Sequence, residues 1–542
     1  MKGMRMQRQP DMAAPVEALG QIASEGFAQG LIWTSAVSDK SNYVAKGSQD
    51  AEEKALHAAI TQASEHTVEM ISDASGDAAD ILEFQLAMLE DDTFEVSSHE
   101  KMATGALANT AWTTTLDDEI AGYLASDDEY FRARSTDLID VKDRVLDALL
   151  GVKAEAIPDG AILLADDLAP SAFLSHDWLG GGIILKYGSA TGHVAMLARQ
   201  RGVPAVVGVK NFDVLRGTPV LLNAATGQIV ANPDQATRQA FETAKEVFET
   251  QQDLAKAFAV KPGQTRDGTP IAIMVNIADP AETETIPIEH VDGVGLMRSE
   301  FLFGNSYGLP SENLQLAAYA KVLKWAGDKP VTIRTIDAGG DKPIAGLTVE
   351  EDNPFLGLRG IRLSLANPDI FAVQIRALLR AAVLGNLKVM LPMVAVPDEL
   401  DSAIELFERE AEKLAEQGIA HAMPEIGIMV EVPSVAITPE RFARAAFFSI
   451  GSNDLTQYVL AVSRDNGSLS YLARADNPAV LQLIGNVACY GREHGQAVSL
   501  CGDAASDPAL VGALLGAGVE TLSVAAARIG MIKAAIAEID LA

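Results

Sequence analysis

From residue 272 to residue 526 one pattern recurs eight times: a short apolar run, a polar or glycine-rich loop, then a segment with helical spacing. The runs are 272–278, 293–299, 331–337, 388–394, 426–432, 447–453, 497–503 and 521–526. Eight strands alternating with helices over about 250 residues predict a C-terminal (β/α)8 barrel, which makes the chain α/β overall. Nearly every run carries its unusual polar residue at its C-terminal end: Asn276, Arg298, Arg334 with Asp337, Glu431, Asn453 with Asp454, and Cys501 with Asp503. Active sites of such barrels lie at that end, so these side chains are expected to converge on one mouth. Arginine forks bind phosphate or carboxylate, and a few carboxylates suit Mg2+, so the expected substrate is small, anionic and phosphorylated. Taken singly each residue has a structural explanation, Arg298 pairing Glu300 and Arg334 pairing Asp337; the joint placement favours a site.

The chain of 542 residues is too long for one core, and two to four units are expected. After a polar arm, 30–37 reads as a single strand, and 48–150 reads as helix: it lacks proline and repeats apolar residues such as Ile81, Leu82, Leu86 and Leu89 at helical spacing. Short apolar runs broken by Gly and Pro follow from Ala161, the texture of a small α/β unit that completes the first strand. The expected division is a discontinuous α/β domain at 1–45 and 151–234, an inserted helical domain at 46–150, a linker helix at 235–260 and the barrel at 261–542.

The net charge of −32 argues against nucleic acid, whose phosphates require Lys and Arg. Residues 51–150 hold 23 Asp and Glu against 6 Lys and Arg, which makes the inserted helices a docking face for a basic protein partner, or simply a solvated acidic surface. No apolar run is long enough to span a membrane, and the basic start lacks the apolar stretch of a signal. Two cysteines, Cys489 and Cys501, make no disulfide framework, so a cytoplasmic location is expected.

Of eight histidines, His193 stands apart. It follows a strand and a Gly-rich turn, and it opens a short helix that should stop at Gly202. Free N–H groups at a helix start favour an anion, and a neutral imidazole is a competent nucleophile near pH 7.

The segments GVGLMRSEFLF, TIRTIDAGGDKP, NPFLGLRGIR, MLPMV, GIMVEVP, FFSIGSNDLTQY and SLCGDAASDP occur in that order through most of the C-terminal half. They resemble the PEP-binding barrel of enzyme I of the bacterial sugar phosphotransferase system, and more distantly PEP synthase and pyruvate phosphate dikinase. The turn before His193 resembles that family's phosphohistidine signature, with Thr191, Ala198, Arg199, Gly202, Pro204 and Ala205 matching.

The resemblance implies that PEP phosphorylates His193, which then passes the group to a histidine of a small HPr-like phosphocarrier protein with release of pyruvate. It implies that Arg298 and Arg334 grip the PEP phosphate, that Arg464 and Asn453 hold the phosphate or carboxylate end, and that Glu431 and Asp454 ligate Mg2+. Arg359 becomes a further phosphate candidate, and Cys501 the acid that protonates the enolpyruvate carbon. It also implies dimerisation through the barrel and a hinge around 235–263. Ser189, Gly192, Ser463 and Asp503 depart from the family pattern, which marks a divergent member. The N-terminal part is expected to be too short for an ATP-binding domain or a fused carrier. A lyase or aldolase-like barrel and a silent binding paralogue are the alternatives, and neither accounts for as much of the chain.

Overall fold

The computed structural model describes residues 14–34, 43–73, 77–125, 129–152, 155–190, 192–304, 309–340, 344, 346–349, 351–463 and 467–541. The chain divides into two compact units, Met1–Phe248 and Glu249–Ala542.

The first unit opens with strands β1 (Val16–Leu19), β2 (Gln21–Ser24) and β3 (Phe27–Trp33). The strand expected at 30–37 is therefore β3 in its first part, and 35–42 lie outside the described residues. Two strands occupy what the sequence presents as a polar arm. Each is only four residues long, and β1 is mostly exposed, so neither carries an alternating apolar pattern. Their partners come from far along the chain: β1 pairs with β8 (Gln228–Ala231) and β2 with β6 (Ala205–Val207), both antiparallel.

Five helices follow, as expected: α1 (Gln49–Asp73), α2 (Asp77–Leu89), α3 (Asp92–Ala103), α4 (Ala108–Leu124) and α5 (Glu129–Leu150). They close on a core of their own that includes Leu56, Trp112, Leu116, Leu138, Val141 and Val145. Burying such large apolar side chains contributes roughly 1.5–3 kcal/mol each, enough to offset the repulsion of an acidic surface. The chain then returns to the sheet through β4 (Ile162–Ala165), α6 (Pro170–Leu174), β5 (Gly182–Leu185), α7 (His193–Arg201), β6, and the hairpin β7 (Pro219–Asn223) and β8.

The sheet order is β1-β8-β7-β3-β4-β5-β6-β2, in which β3, β4, β5 and β6 run parallel. Helix α7 is the crossover between parallel β5 and β6, so His193 sits just beyond the carboxyl end of β5, where open α/β sheets hold their ligands. Helix α8 (Gln235–Ala259) follows, and its Phe241 and Phe248 pack on Phe27 with ring centroids 5.3 Å apart.

In the second unit β9 (Ala272–Ile277), β10 (Val294–Met297), β11 (Val331–Arg334), β12 (Leu387–Leu391), β13 (Glu425–Val430), β14 (Phe447–Ile450), β15 (Ala497–Leu500) and β16 (Thr521–Ala525) form a closed parallel barrel. All eight strands lie within or one residue beside the apolar runs, and the barrel closes where Ala525 opposes Asn276. Strand residues such as Val275, Val331, Ile428 and Ile450 pack outward against helix residues such as Phe371, Phe407 and Ile484. No helix among the described residues is long and apolar enough to cross a membrane.

Candidate active site

Most of the polar residues expected at the barrel mouth stand at or just past strand ends, and several are buried. Arg334, the last residue of β11, pairs through Nη2 with Glu300 Oε1 at 3.0 Å and through Nη1 with Asp337 Oδ2 at 3.1 Å. The structural alternative that pairs Arg298 with Glu300 is not what the fold shows: Arg334 takes Glu300, because Arg298 is exposed beyond β10 while Glu300 Oε1 also accepts the Asp337 N–H at 2.9 Å. Among the described residues, Arg334 Nε–H finds no partner although only 5% of the residue is exposed, and Glu300 Oε2 is likewise buried without one.

Arg359 is 0% exposed and lies between two carboxylates. Its Nε and Nη2 donate to Asp337, and its Nη1 and Nη2 donate to Asp454, all at 3.0 Å. Burial alone would lower its pKa, but Asp337 and Asp454 more than compensate and hold the guanidinium charged. Its fork is thus engaged by carboxylates, which makes Arg359 a clamp on Asp454 as this structure stands.

Glu431, at the end of β13, is buried and accepts the Met393 N–H at 2.6 Å. Met393 reaches it from a left-handed backbone conformation, φ 60°, tight against Gly360, where an added Cβ would come within 2.8 Å of the Met393 Cβ. Desolvation, followed by the nearby charges of Asp337 and Asp454, pushes the Glu431 carboxyl up to about 8. Among the described residues, Glu300, Asp337, Glu431 and Asp454 gather around the buried guanidiniums of Arg334 and Arg359. No group of three or more potential metal ligands gathers among the described residues. Two hard carboxylates in a cluster with excess negative charge nevertheless fit Mg2+, which binds through one or two carboxylates and completes its shell with water and substrate oxygens.

Asn453 and Asp503 pair reciprocally: Asn453 Nδ2 donates to Asp503 Oδ2 at 2.8 Å, and the Asp503 N–H donates to Asn453 Oδ1 at 2.9 Å. A cleft opens beside them, lined in part by Ser452, Thr456, Arg474 and Asp507. Arg464 lies outside the described residues. Cys501 is buried just past β15 beside Leu296, Met390, Met429 and Phe447; its thiol accepts from Ser449 Oγ at 3.3 Å. Burial pushes that thiol up to about 11, so it stays protonated at neutral pH.

Two supporting residues escaped the sequence reading in this role. Asn276, flagged only as polar, donates through Nδ2 to the Cys501 carbonyl at 3.2 Å and so fixes the thiol's backbone. Gln374, a buried polar residue on an otherwise apolar helix face, accepts the Ile336 N–H at 3.1 Å and donates to Ser299 and Tyr319. A polar residue on an apolar face is the signal that points to it.

In the first unit His193 is the first residue of α7, whose cap residue Gly192 offers no side-chain hydrogen bond. The turn before it is braced by Arg199, which donates through Nη1 to the carbonyls of Ala190 and Ala23 at 2.8 Å. Gly202 ends the helix at φ 64°, a left-handed cap that glycine adopts without penalty. The imidazole is partly exposed, and its Nδ1 lies 3.5 Å from Asp137 Oδ1.

Family models for PEP-utilising enzymes match along most of the chain: the N-terminal model over residues 19–134, the mobile domain over 157–227 and the PEP-binding domain over 252–541. The phosphoenolpyruvate-protein phosphotransferase of Geobacillus stearothermophilus is 37% identical, with 89% of this chain and 86% of the relative covered. The protein of the same name from Bacillus sp. (strain S) is 36% identical, with 96% and 88% covered. Among solved structures, "NMR solution structure of Enzyme I (nEIt) protein using two 4D-spectra" is 25% identical, covers 43% of this chain and 99% of its own, and gives a TM-score of 0.37. This chain belongs to the PEP-utilising enzymes and, among them, to the phosphoenolpyruvate-protein phosphotransferase family.

Proposed function

We propose that this chain moves the phosphoryl group of phosphoenolpyruvate onto His193 and from there to a histidine of a small HPr-like carrier protein, the first step of a sugar phosphotransferase system. The observation that carries the reading is His193 at the first position of a helix with an open N-terminus, in a chain whose barrel gathers buried arginines and carboxylates at strand ends.

The imidazole lone pair forms the N–P bond while the bond between phosphorus and the enol oxygen breaks, leaving enolpyruvate. Arg298 and the unpaired Nε–H of Arg334 would meet the phosphate, with Arg464 and Asn453 at the phosphate or carboxylate end. Glu431 and Asp454 would hold Mg2+, which would supply positive charge to offset that of the phosphoryl group. Arg359 clamps Asp454 in place and contributes charge to the mouth, and it stays a further candidate for the phosphate. The Cys501 thiol gives its proton to the methylene carbon, pyruvate forms, and the thiolate regains a proton through solvent or the neighbouring Ser449 hydroxyl.

The acidic bundle, the most negative part of the chain, would dock a carrier with a basic face. Dimerisation through the barrel and a cytoplasmic location belong to the same reading. The test is incubation with 32P-labelled phosphoenolpyruvate and Mg2+, wild type beside His193→Ala. Acid-labile, base-stable label that disappears in the variant supports the proposal, whereas label that survives the substitution or never forms on the wild type overturns it.

A further inference from the structure

We infer that Ser449 and Ser499 form a hydroxyl relay that returns a proton to Cys501 from the end of the barrel opposite the mouth. The inference rests on the reading of Cys501 as the acid that protonates enolpyruvate, and it adds where the next proton comes from.

Strand alternation puts the three side chains on one face. Phe448, Ile450 and Leu500 belong to the core between strands and helices, whereas Phe447 and Cys501 belong to the cluster inside the barrel with Leu296, Met390 and Met429. Successive side chains of a strand point to opposite faces, so Ser449 and Ser499 face inward with Phe447 and Cys501. The register of parallel β14 and β15 sets Ser449 directly beside Ser499. Ser499 Oγ donates to Ser449 Oγ at 3.0 Å, and Ser449 Oγ donates to Cys501 Sγ at 3.3 Å. Both bonds run toward the sulfur. A hydroxyl both donates and accepts, which is what a relay requires of each member.

Exposure grows with distance from the mouth. Cys501 is 3% exposed and Ser449 0%, so water has little direct access to either. Ser499 is half-buried, and Ala497, two residues earlier on the same face, is exposed. The mouth lies at the carboxyl ends of the strands, so the wet end of this chain of hydroxyls is the opposite one. Recharging of the thiol is thereby separated from the opening through which substrate and product pass.

The proton balance closes. The thiol gives its proton to the methylene carbon, a C–H bond forms, and the S–H electron pair stays on sulfur. A buried thiolate is costly unless a donor serves it. The Ser449 proton passes to sulfur, the Ser499 proton passes to the Ser449 oxygen, and a proton from solvent restores Ser499.

The experiment uses the full chain with Mg2+, phosphoenolpyruvate and 14C-pyruvate in D2O, as wild type, Ser449→Ala, Ser499→Ala and Ser499→Thr, with circular dichroism to establish folding. Two rates are read in one sample: carbon label entering phosphoenolpyruvate, and deuterium entering the pyruvate methyl group. In the reverse reaction the thiolate takes a methyl proton and can hand the same proton back, so carbon exchange needs no relay. Deuterium enters only after the sulfur has exchanged with solvent. The ratio of deuterium to carbon exchange should fall by about 10²-fold in both alanine variants. It should stay near the wild-type value in Ser499→Thr, which keeps the hydroxyl. The two Ser499 variants, at a half-buried position, carry the test if Ser449→Ala does not fold. An unchanged ratio in Ser499→Ala overturns the relay, and so does an equal fall in Ser499→Thr. Both exchanges at wild-type rate in Cys501→Ala instead overturn the underlying reading of the acid.

Discussion

Asp454 receives two hydrogen bonds from Arg359, one on each carboxylate oxygen at 3.0 Å, so this carboxylate proposed for the metal is held in a fork that also grips Asp337. The fork fixes the orientation of the Asp454 carboxylate before any ligand arrives.

Replacing Arg359 by Met should therefore act on stability as well as on catalysis. Two buried carboxylates lose their counter-charge, and breaking such a pair costs about 3–5 kcal/mol. The expected outcome is a marked fall in the urea midpoint of the barrel together with loss of label uptake. An Arg359→Met protein as stable as the wild type would show that the fork does not set the geometry of Asp454.

For Cys501 the prediction separates two steps. Burial holds the thiol protonated up to about 11, so its ionisation should not depress pyruvate formation until about pH 10. Cys501→Ala should slow pyruvate release by about 10²–10⁴-fold while single-turnover labelling of His193 persists. Rapid-quench measurement of label and pyruvate in the same sample checks it, and equal loss of both would assign Cys501 to substrate binding instead.

Glu52 gives the bundle a pH-sensitive joint. Burial works to raise its pKa, but the N–H groups of Lys46 and Ala108 and the Tyr43 hydroxyl outweigh it and hold the carboxyl below its ordinary value. A depressed folded-state pKa contributes stability above the unfolded value and loses it as pH falls through the folded one. The thermal midpoint of the bundle should therefore fall on acidification below the normal carboxylate range. In Glu52→Gln that dependence should weaken, and an identical pH profile would rule out this joint.

Asp140→Ala should loosen the seam between the bundle and the α/β part. It leaves the Ser171 N–H, the Gln85 amide and a largely buried Arg144 guanidinium short of their acceptor, a loss of about 3–5 kcal/mol for a broken buried pair. Hydrogen exchange at α5 and α6 should accelerate together; acceleration confined to one helix would place the seam elsewhere.

The sequence by itself determined the elements whose signal is local. The eight barrel strands, the helical insertion, the helix beginning at His193 and ending at Gly202, and the arrival of Arg334, Glu431 and Cys501 at strand ends all follow from apolar periodicity and turn chemistry within a few residues. Tertiary structure alone decided the pairings. Glu300 goes to Arg334 rather than Arg298, Arg359 bridges Asp337 and Asp454, and Asp137 faces His193 from another part of the unit. The short strands β1 and β2 exist only because distant β8 and β6 offer them an edge. Partner choice depends on strand register and on which charges are carried inward together, and periodicity along one segment contains neither.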